Sequence, residues 1–236
     1  MRILFNNLLD EASLIASSSI PGFGVDNLWD TRVSRMFRAI SGTEWIQIDL
    51  GLTRTVSSFS MVGHNIHSAT LQASTTSNFA MVDFEHVIDV QPYMTFSVFN
   101  NQSFRYWRVQ LESIGSVQIG RIGIGLYVSL PYLDPAMEIP KRSTVDVGFS
   151  RTQQSYKSAG IIYRAFQLNL PYLELEERQA VEEGWENSNG DPVFVDLSEI
   201  PNEIPLYGLV NPAEIGMSYD ATRRQHALSL EITEVF

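Results

Sequence analysis

Through most of the first 130 residues, apolar and polar positions alternate with a period of two. EWIQIDLG (44–51) shows the pattern: Trp45, Ile46, Ile48 and Leu50 are apolar, Gln47 and Asp49 are polar, and a glycine ends the run. Successive side chains of a strand point to opposite sheet faces, so this reads as a half-buried strand entering a turn. Trp45 and the isoleucines are expected in the core and Gly51 at the turn. The same reading predicts strands over 12–17, 45–50, 56–62, 70–73, 84–90, 94–99, 106–111 and 117–127. In RYWRVQL (105–111), Trp107, Val109 and Leu111 share one face while Arg108 and Gln110 share the other. PGFG (21–24), SG (41–42), GHN (63–65) and NNQS (100–103) punctuate the strands. Many short strands with frequent turn signals predict a β-sandwich or jelly roll.

The pattern changes after residue 128. SLPYLDPAMEIPKRS (129–143) contains three prolines and predicts a linker over 131–145. In AGIIYRAFQLNLPYL (159–173), Ile162, Phe166, Leu168 and Leu170 fall on one face of a long strand. A single helix is expected over 173–190. Glutamates crowd its first turns, where the helix dipole favours them, Gly184 weakens its interior, and Asn-Ser-Asn-Gly ends it. Strands are expected over 191–197, 204–210 and 226–236. A small β-barrel or split barrel with one helix fits this order. The expected division is therefore a sandwich at 1–130, a linker at 131–145 and a second β module at 146–236, mainly β throughout.

Charge supports that division. The chain of 236 residues carries a formal net charge of −11. Residues 1–130 hold 8 basic and 10 acidic side chains, and residues 131–236 hold 8 and 17. An acidic second half argues against binding a phosphate backbone, which requires a basic footprint. Cysteine is absent, which removes disulfides, thiolate zinc sites and thiol nucleophiles. No apolar run approaches the roughly 18 residues of a membrane span, and MRILFNNLLDEAS lacks the apolar stretch of an ordinary export signal.

ASSSIPGFGVDNLWDTRVSRMFRA (16–39), followed by EWIQIDLG, resembles the discoidin-like (coagulation factor 5/8 C-type) galactose-binding β-sandwich. NLWD (27–30), FRYWRVQL (104–111) and VQIGRIGIG (117–125) stand in the order of that family's remaining motifs, and the resemblance covers residues 10–128. NLWDTRVSRMFR with a closing IGRIGIG is similar to modules of bacteriophage tail proteins. The strand–helix–strand order of 145–236 resembles, in topology, the tail-tube and distal-tail hub fold. Two departures stand out: Phe37 replaces a frequent tryptophan, and Thr31 rather than glycine follows Asp30. Calcium, bound by many family members, is not indicated by Asp26 and Asp30 alone.

Candidate chemistry is sparse. His64 and His67 lie on a predicted turn and offer too few ligands for a metal. Glu44 and Asp49 flank a core strand, and Asp49 is expected to accept hydrogen bonds from backbone or an arginine rather than to act across a glycosidase cleft. GRIGIG (120–125) lacks the dinucleotide fingerprint spacing, so its glycines are expected to permit close backbone approach. No serine lies in a nucleophile elbow. Phe23, Trp29, His64, Asn65 and His67 in predicted loops are the ligand-binding candidates; Phe23 and Trp29 equally suit a plug or a protein contact. Arg32, Arg35 and Arg38 either pair with Asp26 and Asp30 or meet a partner, and with Trp185 they are the interface candidates.

These features lead to the expectation of a non-enzymatic structural protein of the phage tail tip or baseplate, located in the virion. It would form a homo-oligomeric ring joining the tail tube to baseplate or fibre proteins, without cofactor, metal, nucleic acid or membrane. The alternative is a carbohydrate-binding module for host surface glycans.

Overall fold

The computed structural model describes residues 1–130, 139–144, 147–149, 155–157, 160–200, 203–210, 216–220 and 225–235. Up to residue 130 the strands are β1 (Arg2–Leu4), β2 (Ser13–Ala16), β3 (Phe37–Arg38), β4 (Thr43–His64), β5 (Ser68–Ser74), β6 (Phe84–Ile88), β7 (Tyr93–Glu112), β8 (Gln118–Ile119), β9 (Arg121–Gly125) and β10 (Val128–Ser129). Then come β11 (Lys141–Ser143), β12 (Val147–Phe149), β13 (Ser155–Lys157), β14 (Ile162–Leu173), helix α1 (Leu175–Ser188), β15 (Val193–Asp196), β16 (Leu206–Val210), β17 (Gly216–Asp220) and β18 (Gln225–Glu234). The protein is mainly β. Of the expected linker, only 139–144 is described, and part of it forms β11.

The first sheet runs β2-β4-β7-β5-β6, with β9 on a second stretch of β4, and every pairing is antiparallel. Its inner face buries Ile46, Ile48, Phe59, Met61, Leu71, Trp107, Val109, Leu111, Ile122 and Ile124 in one core. Trp45 is not part of that core: it alternates out of phase with Ile46 and Ile48, and period two sends it outward with Gln47. The segments expected as 45–50 and 56–62 are one strand, as are 94–99 and 106–111. Gly51 does not turn the chain. At φ 75° it sits in a bulge, where register jumps between Asp49 and Arg54. Asp49 holds the bulge by accepting from the Gly51 amide at 2.8 Å and from Arg105 Nε and Nη2 at 2.7 and 2.9 Å.

A buried cation closes the sandwich. Arg121, almost fully enclosed, donates through Nη2 to both oxygens of Asp10 at 2.8 and 3.0 Å and through Nη1 to the Trp29 carbonyl at 2.6 Å. It thereby ties β9 to the short helical turns Leu8–Glu11 and Val25–Trp29.

The second sheet runs β10-β1-β15-β16-β18-β14-β11, with β17 on β18. Strand β1 lies between β10 and β15, antiparallel to both. Met1, Ile3, Phe5 and Leu130 share its core with Val193, Val195, Leu206, Leu230 and Ile232, and α1 adds Val181. The boundary expected at 1–130 is thus displaced: both ends of that span belong to the second sheet, and the sandwich is inserted between β1 and β10. The helix starts at a capping box of Glu174 and Glu177 and ends at Asn189 in the left-handed conformation. Gly184 does more than weaken it, because a Cβ there would stand 2.7 Å from the Phe5 ring. Of the residues expected on one face of β14, Ile162 is 65% exposed and Leu168 is buried, as is Ala165; the side chains of Phe166 and Leu170 lie outside the described residues.

The two sheets meet through a small apolar seam. Leu4, Phe194 and Tyr207 pack on Val33, Val62 and Met94. Tyr207 Oη donates to the Thr31 carbonyl at 3.3 Å. Gly123 lets β9 approach, since a Cβ would stand 2.6 Å from the Phe194 ring. The GRIGIG glycines act here as backbone spacers.

Candidate functional site

At one end of β4 the chain leaves the sheet through Gly63, whose φ of 65° suits glycine. The loop 31–36 lies directly over this end: a Cβ on Gly63 would meet Val33 Cγ1 at 2.4 Å. Beside it, β7 begins at Tyr93, also at positive φ (69°), and β8 begins at Gln118. Together they enclose a depression of about 400 Å³ lined by Val33, Ser34, Met36, Gly63, His64, Asn65, Tyr93 and Gln118. Apolar walls with a few polar groups at this size suit a small organic ligand.

His64 forms the floor as a neutral ring. Its Nδ1 accepts from the Ile66 amide at 3.3 Å, and its Nε2 is 3.1 Å from Thr95 Oγ1. With Nδ1 accepting, the proton sits on Nε2 and is donated to Thr95. Burial pulls its pKa down to about 4. Asn65 spends its amide on the loop: Nδ2 donates to the Ser116 carbonyl at 2.8 Å, and Oδ1 accepts from the Gln118 amide at 2.9 Å. Tyr93 is 39% exposed. Burial pushes its phenol pKa up, and the charge of Glu234 adds to this. Glu234 belongs to β18, so the second sheet contributes to this end of the site.

The structure brings together only His64 and Asn65 of the five expected ligand residues. His67 points elsewhere, with Nε2 3.9 Å from Glu112. The Phe23 ring carries the Arg38 guanidinium at 4.4 Å. Trp29 donates its indole N–H to the Leu9 carbonyl at 3.1 Å and remains 38% exposed. Ser34, Met36, Tyr93 and Gln118 were not anticipated. A loop folding over a strand end leaves no short sequence signature, and the positive φ of Tyr93 contradicts its residue type.

The interface candidates are mostly engaged locally. Arg32 forks onto Asp30 at 2.9 and 2.6 Å, and Arg35 reaches the same carboxylate at 3.6 Å. The hydrogen bond from Arg32 holds Asp30 far below the usual carboxylate range. Both arginine side chains stay mostly in solvent. Trp185 packs against the second core. Glu44 is enclosed by serines: burial pushes its pKa up, but hydrogen bonds from the Ser17, Ser18 and Ser41 hydroxyls outweigh this and hold it below normal. Glu44 and Asp49 are therefore both committed to structure. Among the described residues no group of three His, Asp or Glu side chains is placed to hold a metal ion, and no helix is long and apolar enough to cross a membrane.

No protein-family model matches the sequence, and no curated protein matches it at a significant level. Solved structures do. Chitosan-binding module 1 from a chitosanase/glucanase of Paenibacillus sp. IK-5 is 18% identical, covering 50% of this chain and 98% of the module, with a TM-score of 0.44. The lectin domain of lectinolysin, complexed with Lewis B antigen, is 14% identical over 50% of this chain and 95% of that one, with a TM-score of 0.44. CpGH89CBM32-5 from Clostridium perfringens, complexed with GalNAc-β-1,3-galactose, is 15% identical over 51% of this chain and 100% of the module, with a TM-score of 0.45.

Proposed function

We propose that this protein binds carbohydrate, without catalysis, at the loop end of its sandwich. The observation that carries this reading is the depression around Tyr93. The Tyr93 phenol, 39% exposed, lines the depression with the Ser34 hydroxyl and the Gln118 amide, the mix of aromatic and polar groups that a sugar's apolar faces and hydroxyls call for. His64 would shape the floor and Asn65 would hold the loops. The test is a glycan array followed by calorimetry. A neutral oligosaccharide should bind, and Tyr93→Ala should abolish binding while the circular dichroism spectrum is retained. Silent arrays, or unchanged affinity in Tyr93→Ala, would refute it.

A second reading is assembly as a structural virion protein of a phage tail tip, in a ring joining the tube to baseplate or fibre proteins. It is supported by apolar side chains exposed on the second module, among them Ile161, Ile162, Leu175 and Leu209. Residues of this kind are covered in oligomers. Native mass spectrometry tests it: a closed ring supports assembly, and a monomer at high concentration opposes it. The two readings are compatible in one molecule, with the second module assembling and the sandwich displayed.

A further inference from the structure

The outward face of the first sheet is organised around one cation. Register aligns Ile15, Gln47, Arg108, Gln72 and Glu85 in a row across β2, β4, β7, β5 and β6. The neighbouring row holds Trp45, Gln110 and Thr70. Arg108 Nε and Nη2 donate to Gln72 Oε1 at 3.1 and 2.7 Å, and Gln72 Nε2 passes on to Glu85 at 2.8 Å. The link from Arg108 to a carboxylate therefore runs through a neutral amide. Among the described residues, Arg32, Arg35, Arg54, Arg105 and Arg121 of the sandwich each have a carboxylate within 4.0 Å, and Arg108 has none. Arg38, the other exception, lies on the Phe23 ring. Among the described residues, Arg108 Nη1 has no hydrogen-bond partner, and Arg108 is not a fully buried residue.

The surroundings of Arg108 are fixed in advance. The loop between β5 and β6 folds back over the sheet and places the buried Phe79 ring 4.3 Å from the guanidinium. Phe79 has φ 51°, a left-handed conformation that is unfavourable for a bulky residue. Asp83 accepts from the Thr75 amide and hydroxyl, and Ser74 donates to the Met81 carbonyl, so the loop is pinned. Burial also lowers the basicity of Arg108. The nearby acids are already engaged, Asp49 by Arg105 and Glu85 by Gln72.

We infer that Arg108 anchors a second binding site, on the sheet face, for an acidic saccharide whose ring carboxylate pairs with the open edge of the guanidinium. Arginine's planar fork matches a carboxylate. Gln47, Gln110 and Thr70 offer donors and acceptors for sugar hydroxyls, and Trp45 offers an apolar surface beside Gln110. The site shares no residue with the loop-end depression.

The experiment is calorimetric titration of the full chain with tri-galacturonate and with its methyl ester, which keeps the rings and removes the charge. The acid should bind. The ester should bind at least tenfold more weakly, and so should the acid to Arg108→Gln, while Arg108→Lys should fall between. Tyr93→Ala should leave this binding unchanged, which separates it from the loop-end site. The Trp45 indole resonance should move on titration in the unmutated protein, a readout that does not depend on any variant folding. Four results would overturn the inference: no binding of the acid, equal binding of acid and ester, unchanged affinity in a folded Arg108→Gln, or equal competition by an aspartate-rich peptide of the same charge.

Discussion

The first sheet draws its strands from a continuous stretch, residues 13–125, whereas the second places Arg2–Leu4 between Val128–Ser129 and Val193–Asp196. The first thus pairs its strands within one stretch and borrows little from outside it: Leu9 and Ala12 join its core and Asp10 pairs with Arg121. The second cannot complete its core until both flanks of the sandwich have come together. Strand β1 contributes only three residues, yet it pairs on both edges and brings Ile3, with Phe5 just beyond it, into the core. The contrast shows that sequence separation, more than strand length, decides which parts of this molecule depend on each other.

The sharpest way to break that contrast is Phe5→Ala. Loss of a buried aromatic costs about 3–5 kcal/mol. Hydrogen exchange should accelerate in β15 and β16 while β4 and β7 stay protected; equal acceleration in both sheets would show one cooperative unit instead. The next effect concerns the sandwich. His64 has a folded pKa of about 4 against 6.5 unfolded. The unfolded state therefore takes up the proton first as pH falls. Stability from this group is full above about pH 6.5 and is lost toward pH 4, by up to about 3 kcal/mol. Denaturation midpoints from pH 7 to 4 should fall less steeply in His64→Gln than in the unmutated protein, and parallel curves would contradict the placement of the ring.

A smaller effect returns to the second sheet. Gly184→Ala improves helix propensity by about 1 kcal/mol but forces a methyl against Phe5, a strain of about 1–3 kcal/mol. Net destabilisation by thermal melt is expected, and it should vanish or reverse when combined with Phe5→Ala. Arg32→Ala is the smallest. Solvent screens an exposed ion pair, so the melting temperature should barely move. A large drop there would mean that the 30–35 loop supports the seam beneath it.

The sequence made the sandwich readable because period two persists through long strands and its turns fall at Gly, Asn and Ser. It misplaced Trp45 because a large apolar side chain was counted as core against the phase of Ile46 and Ile48. It misread Gly51 because a glycine ending an alternating run marks a bulge as well as a turn. β1 was missed for a different reason: three residues are too short to show a period, and their partners lie more than 120 positions away. Of the loop-end depression, His64 and Asn65 were visible as polar loop residues. Tyr93 and Met36 were not, because their convergence depends on how loop 31–36 drapes over Gly63.

One consequence follows from Ile3 standing opposite Val128. The sandwich leaves the second sheet by two neighbouring strands, so its two covalent links stand a single strand spacing apart. A domain on one tether can swivel; one hung on a double stem transmits torque and tension. A load on a molecule held by the sandwich would shear β1 and β10 together against β15 rather than peel either alone. A short turn joining the two stems could replace the sandwich only if Leu4, Phe194 and Tyr207, which the sandwich covers, were covered again.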